Sequence, residues 1–133
     1  MLEDYAGSTF QPGQVWRYRA RPGEEDSTLT VLKVETHPEL GVIVHVAVSG
    51  VRVRNPLAPS GYAGEIGHLP FAEEAVLDSV TDRVQGGAPT GAGEEGYREW
   101  RRAFDAGEGG VFTTSVAEAV GFIEQALGQG GAG

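Results

Sequence analysis

The run VIVHVAVSGVRVRN, Val42 to Asn55, decides the fold. In an extended chain Val42, Val44, Val46 and Val48 share one face, and Ile43, His45, Ala47 and Ser49 share the other. A β-branched run with period two reads as a strand over 42–48. The valine parity then changes, because Val48 is followed by Val51 and Val53. Ser49-Gly50 must therefore be a bulge in one long strand or a two-residue hairpin turn. The spacing favours a hairpin or sharp bend, with a further strand over 51–55 that Asn55-Pro56 ends.

Upstream, residues 1–13 read as a lead-in, closed by the turn signal Gln11-Pro12-Gly13. From Gln14 to Arg21 the chain alternates, with Trp16, Tyr18 and Ala20 on one face and Arg17, Arg19 and Arg21 on the other. A strand over 27–36 carries Leu29, Val31, Leu32 and Val34 on both faces, as a central or bent strand does. His37 to Gly41 closes a hairpin into the valine strand.

Downstream, residues 56–69 are rich in Pro, Gly and Ser and read as a loop. The spacing of Val76, Val80 and Val84 predicts a helix over 71–84, with Phe71 and Val76 placed as a hydrophobic staple around an Ala72 cap. Residues 85–93 read as a flexible linker. A second helix over 94–106 carries Tyr97, Trp100 and Phe104 on one face, and Gly107 follows it as a stop. Val111 to Thr113 is a short strand. Ser115 to Glu118 forms a capping box before a third helix over 116–127, which Gly128 ends, and 129–133 are expected to be disordered.

Strands followed by helices define an α+β class. The expected architecture is one domain over 1–128, with a strand part at 14–55 and a helical part at 70–128. In it a curved antiparallel meander of three to five strands, open to an SH3-like or half-barrel form, is backed by about three helices. Its core should hold Trp16, Tyr18, the valines of 42–48, Trp100, Phe104, Val120 and Ile123.

The formal charge of −9 is unevenly spread. Residues 1–60 carry seven acids against six bases, and residues 61–133 carry twelve against four. Such a field disfavours nucleic acid and anionic lipid and favours a basic protein partner. The absence of cysteine excludes disulfides, thiolate catalysis and Cys-ligand metal sites. No apolar run reaches the length of a membrane span, and the acidic Met1-Leu2-Glu3-Asp4 is unlike a signal peptide, so a cytoplasmic protein is expected.

Few residues offer chemistry. His37 and His45 flank one hairpin but lie too far apart along it, at roughly 3.4 Å per residue, to share a metal. No metal, cofactor or catalytic set is expected. His68, in Gly-His-Leu-Pro-Phe, stands on a loop entering a helix, where functional groups collect. Paired carboxylates such as Glu24-Glu25 read as solvated charge. Arg17, Arg19 and Arg21, with Arg52 and Arg54, could line one open sheet face and bind an anion. Glu94, Glu95 and Glu99 on the second helix could meet a basic partner. The oligomeric state stays open.

Pro12-Gly13-Gln14-Val15-Trp16 resembles the opening strand of MazF/PemK-type toxins, small SH3-like barrels that cleave RNA. Their basic loop has no counterpart in Pro22-Gly23-Glu24-Glu25-Asp26-Ser27, so the resemblance brings no activity with it. The whole chain, including 65–74 and 97–105, resembles small conserved bacterial proteins without an assigned activity. The expectation is a non-catalytic protein-binding module, of immunity or antitoxin type. A small hydrolase or nuclease using His68, or an anion-binding face on the five arginines, is the alternative.

Overall fold

The computed structural model describes residues 2–132. It is an α+β fold, an antiparallel sheet with three helices packed on it. The strands are β1 (Glu3–Asp4), β2 (Val15–Tyr18), β3 (Thr28–His37), β4 (Gly41–Arg54), β5 (Tyr62–Ala72) and β6 (Val80–Gln85). The helices are α1 (Glu73–Ser79), α2 (Glu94–Asp105) and α3 (Val116–Ala132). The sheet runs β5-β4-β3-β2-β6, with β1 paired to β3, making six strands where three to five were expected. No helix among the described residues is long and apolar enough to cross a membrane.

The parity change in the valine run is a bulge, not a hairpin turn, and β4 is one strand of 14 residues. Gly50 absorbs the extra residue with φ +76°, and a Cβ there would stand 3.0 Å from the Ser27 Cα. The bulge returns Val51 and Val53 to the same buried side as Val48, so the apolar face stays continuous.

Two other expectations are corrected. The segment 56–69 is mostly strand, because β5 starts at Tyr62 and pairs along β4 from Arg54↔Tyr62 to Ile43↔Ala72. Its Gly64, Gly67 and Pro70 mimic a loop, yet Pro70 is tolerated because β5 is an edge strand. The free edge at Pro70 and Ala72 is covered by Phe112, whose N–H donates to Pro70 O and whose C=O accepts from Ala72 N. Residues 111–113 thus make a β-bridge, Phe71↔Phe112. The helix over 71–84 stops at Ser79, and Val80–Gln85 becomes β6. Val80, Asp82 and Val84 fit a two-residue period as well as a helical one, and the open edge of β2 supplies backbone partners that a longer helix would leave unmet.

The lead-in is part of the fold. Phe10 is fully buried and meets Trp16 edge-on, with ring centroids 5.4 Å apart. The segment 85–93 is tied down as well: Ala88 N donates to Gly13 O, and Gly91–Gly93 is a 3-10 turn. The last helix runs past Gly128 to Ala132, and Gly133 lies outside the described residues.

One face of β4 forms the core, where Val44, Val46, Val48, Val51 and Val53 pack with Phe71 and Val76 and with Val116, Ala119 and Val120 of α3. Phe71 and Val76 flank the first turn of α1 as the staple requires, although Ala72 offers no side-chain cap. Tyr18 is buried in this core, and Trp16 and Ile123 are half-buried against it. Trp100 and Phe104 are not there. They stack 4.9 Å apart on α2, which covers the opposite face of the sheet over His45. The two-sided burial at the middle of β4 (Ile43, Val44, His45 and Val46) reflects this third layer.

Ser115 caps α3 as its sequence position demands. Glu118 N donates to Ser115 Oγ at 3.1 Å, and Ser115 Oγ donates to Glu118 Oε1 at 3.2 Å. The next free N–H, on Val116, is met by Ser79 Oγ at 3.1 Å. Ser115→Ala is expected to cost about 1 kcal/mol, read as a lower urea midpoint at unchanged m-value.

Candidate functional site

Beneath α2 lies a buried polar network. The bulge in β3 between Val31 and Lys33 turns Glu35 toward this face, beside His45 of β4 and His68 of β5. Glu35 Oε1 stands 2.9 Å from His45 Nε2, and His45 Nδ1 stands 2.9 Å from His68 Nε2. From α2, Tyr97 OH reaches Glu35 Oε1 and Oε2 at 3.0 and 2.9 Å, and Arg101 donates to Tyr97 OH at 3.1 Å. The Arg101 guanidinium is 3.5 Å from Glu35 Oε2. Gly96 lets α2 come this close, since a Cβ there would stand 2.8 Å from His68 Cβ.

The proton positions follow from the carboxylate. Burial raises the Glu35 pKa, but hydrogen bonds from His45 and Tyr97 outweigh it and hold the group below its ordinary value. An ionised Glu35 only accepts, so His45 Nε2 carries a proton and its Nδ1 has a lone pair. His68 must then donate from Nε2, leaving its Nδ1 unprotonated. Burial depresses His45, against the pull of Glu35. Burial, and then the neighbouring His45, push His68 down to about 4. At neutral pH the site holds one carboxylate and two neutral imidazoles. Its rings are enclosed by Tyr97 and Trp100, whose centroids lie 4.9 and 4.8 Å from that of His45.

A second cluster forms where β4 outruns its neighbour. Pairing with β3 ends at Thr28↔Ser49, so Val51–Arg54 has β5 on one side and a bare edge on the other. Two carboxylates meet that edge: Arg52 N donates to Glu24 Oε2 at 2.5 Å, and Arg54 N donates to Glu124 Oε2 at 2.7 Å. Arg21 binds both acids, forking onto Glu24 through Nε and NH2 at 2.8 Å each and reaching Glu124 at 3.0 Å. Glu24 is therefore buried and held in ionised form by Arg21, not solvated as its place in an acidic loop implied. The Arg52 guanidinium lies over the Tyr62 ring, 4.3 Å from its centroid. A concavity of about 520 Å³ opens here, lined by Arg21, Arg52, Arg54, Tyr62, Glu124 and Gln125.

The five arginines thus divide. Arg21, Arg52 and Arg54 come together, whereas Arg17 pairs with Asp82 of β6 at 3.4 Å and Arg19 donates to the Asp78 carbonyl. Glu94, Glu95 and Glu99 are exposed on α2. They alternate there with exposed Arg98 and Arg102, and Glu94 pairs with Arg98 at 2.6 Å, so the outer side of the helix is mixed in sign. His37 caps its own turn, with Nδ1 accepting from Glu39 N and Leu40 N. Sequence reading singled out His68 but missed Glu35, Tyr97 and Arg101. The i,i+4 spacing of Tyr97 and Arg101 was a legible hint that both reach one point. Among the described residues no group of three or more His, Asp or Glu side chains is arranged to hold a metal ion; Glu35, His45 and His68 form a hydrogen-bonded chain instead.

Compared with known proteins, the chain matches no family model, no curated protein and no solved structure.

Proposed function

We propose that this chain is a non-catalytic protein-binding module, of the immunity or antitoxin kind, docking through the β4–β5 arm and the adjoining side of α3. The observation that carries this is compositional and spatial at once. Arg52 stacked on Tyr62, with Arg54 beside them, borders one concavity, and exposed Phe122 borders the next. Glu124 and Gln125 line both. Arginine and aromatic side chains around concave surface are what interface centres are enriched in. The exposed acids of α2 favour a basic partner, but arginines are interleaved with them, whereas on the arm both carboxylates, Glu24 and Glu124, are already engaged by Arg21 and by strand N–H groups.

The test is affinity capture with the intact chain as bait. A partner should be retained in stoichiometric amount, be kept by Glu95→Lys/Glu99→Lys bait, and be lost by Arg52→Glu/Arg54→Glu bait of unchanged circular dichroism. Its association rate should fall as salt rises. The reverse order of loss would move docking to α2 and a basic partner, and retention of nothing would end the binding reading.

Catalysis by His68 has one observation in its favour, the Glu35–His45–His68 hydrogen-bonded chain. Against it, a base whose pKa is pushed down to about 4 is a weak proton acceptor at neutral pH.

A further inference from the structure

We infer that the concavity on the β4–β5 arm recognises an extended acidic peptide segment carrying carboxylates two residues apart. This names the partner chemistry of the docking surface above and rests on that reading. Three arginines and two carboxylates line or border this edge: Arg21, Arg52, Arg54, Glu24 and Glu124. Both carboxylates are consumed, Glu24 by Arg21 and the Arg52 backbone, Glu124 by Arg21 and the Arg54 backbone. What meets the carboxylates at Arg52 and Arg54 is their N–H groups, not their guanidinium heads. Neither head makes an ion pair with a carboxylate among the described residues, although the Arg54 charge helps to hold Glu124 ionised, in a chain whose overall charge is −9.

Geometry narrows the ligand further. Arg52 and Arg54 are i,i+2 on one strand, on the side opposite buried Val51 and Val53, so their side chains leave the same face about 7 Å apart. An extended peptide presents alternate side chains at the same pitch, so Asp or Glu at i and i+2 can meet both guanidinium groups, each as a charge-assisted pair. Arg52 is held in place by Tyr62, and Tyr62 lies directly opposite Arg54 in the strand pairing. Both heads are exposed, so each pair is modest alone, and the matched spacing provides the selectivity. A lone anion would use one head or the other.

The experiment is fluorescence anisotropy with labelled synthetic peptides and the intact chain. The probe is Gly-Ser-Asp-Phe-Asp-Ser-Gly. Controls carry the two aspartates adjacent, or replaced by asparagine. Binding should be at least tenfold weaker for the asparagine peptide and measurably weaker for the adjacent pair. Arg52→Gln/Arg54→Gln should lose it by a similar factor, and Arg17→Gln/Arg19→Gln should leave it unchanged. Arg21 is kept in every variant, because it holds Glu24 and Glu124. The inference is overturned if the probe fails to bind, if binding ignores Arg52 and Arg54, or if equimolar inorganic phosphate displaces the peptide, which would make the site a simple anion site. A captured partner that still depends on the two arginines would then leave the protein-binding reading standing without this ligand class. Peptide binding with no partner captured would separate the two in the other direction.

Discussion

Glu35→Ala is expected to destabilise the fold by roughly 3–5 kcal/mol, the range for stripping the partner from buried charged or hydrogen-bonded groups. Glu35 is 1% exposed and accepts from His45 Nε2 and Tyr97 OH, with Arg101 close behind. Its removal leaves the His45 N–H and the Tyr97 hydroxyl facing a cavity, and Arg101 keeps only Asp105 as a carboxylate partner. A loss of this size is a large share of the 5–15 kcal/mol typical of a domain. Glu35→Gln is expected to be milder and to change the imidazoles in a specific way. An amide can turn its NH2 toward His45 Nε2, which then must accept. His45 Nδ1 would become the donor, and His68 Nε2 the acceptor. Urea denaturation reads the stability, and nitrogen-15 shifts of the imidazoles read the tautomers. A cost below about 1 kcal/mol for the alanine variant would show that the network is solvated and does not hold α2.

The α+β class followed from the valine run and the ordered change of period, since both are local signals. The bulge at Gly50 was visible as an alternative, but choosing it required knowing that Val48, Val51 and Val53 meet one core. β5 and β6 were hidden because Gly64 and Gly67 read as a loop, Pro70 as the opening of a helix, and Val76, Val80 and Val84 as the stripe of that helix. Their strand state is decided by which neighbouring edges need backbone partners, a property of the assembled sheet. The site was partly legible. His68 stood out by its neighbours, and Arg21, Arg52 and Arg54 by alternation. Glu35 could not be found, because a charged residue in a strand reads as solvent-facing until a third layer is known to cover it. Nothing in the spacing showed α2 lying on the face opposite α1 and α3, for its aromatic stripe fits either side of the sheet equally well.

Acidification from pH 6.5 to 4.5 is expected to weaken the protein before its carboxylates titrate. His68 has a pKa pushed down to about 4 in the folded chain, against about 6.5 for a solvated histidine. His45 is also depressed, by burial first. The unfolded chain therefore takes up protons that the folded chain refuses, and stability falls as pH falls through this window. For His68 alone the linkage at pH 5 comes to about 1–2 kcal/mol once its partial exposure is discounted. The groups facing the pair set the sign. Lys33 and Arg101 oppose a positive His45, and a second charge on His68 would sit 2.9 Å away, so the two imidazoles cannot both charge in place. Only Glu35 favours protonation, and it is shared with Tyr97 and Arg101. Below about pH 4.5 a second loss begins, because Glu24, Glu35 and Glu124 are held below the ordinary carboxylate range and contribute stability that is lost as they protonate. Urea midpoints at pH 7.5, 6, 5 and 4 should fall across the whole series. His68→Gln should flatten the part between 6.5 and 4.5 while leaving the steeper acid limb in place. A midpoint constant from pH 7.5 to 5 would mean that His68 takes up its proton as freely as a surface histidine, which requires α2 to lift from the sheet in the native state.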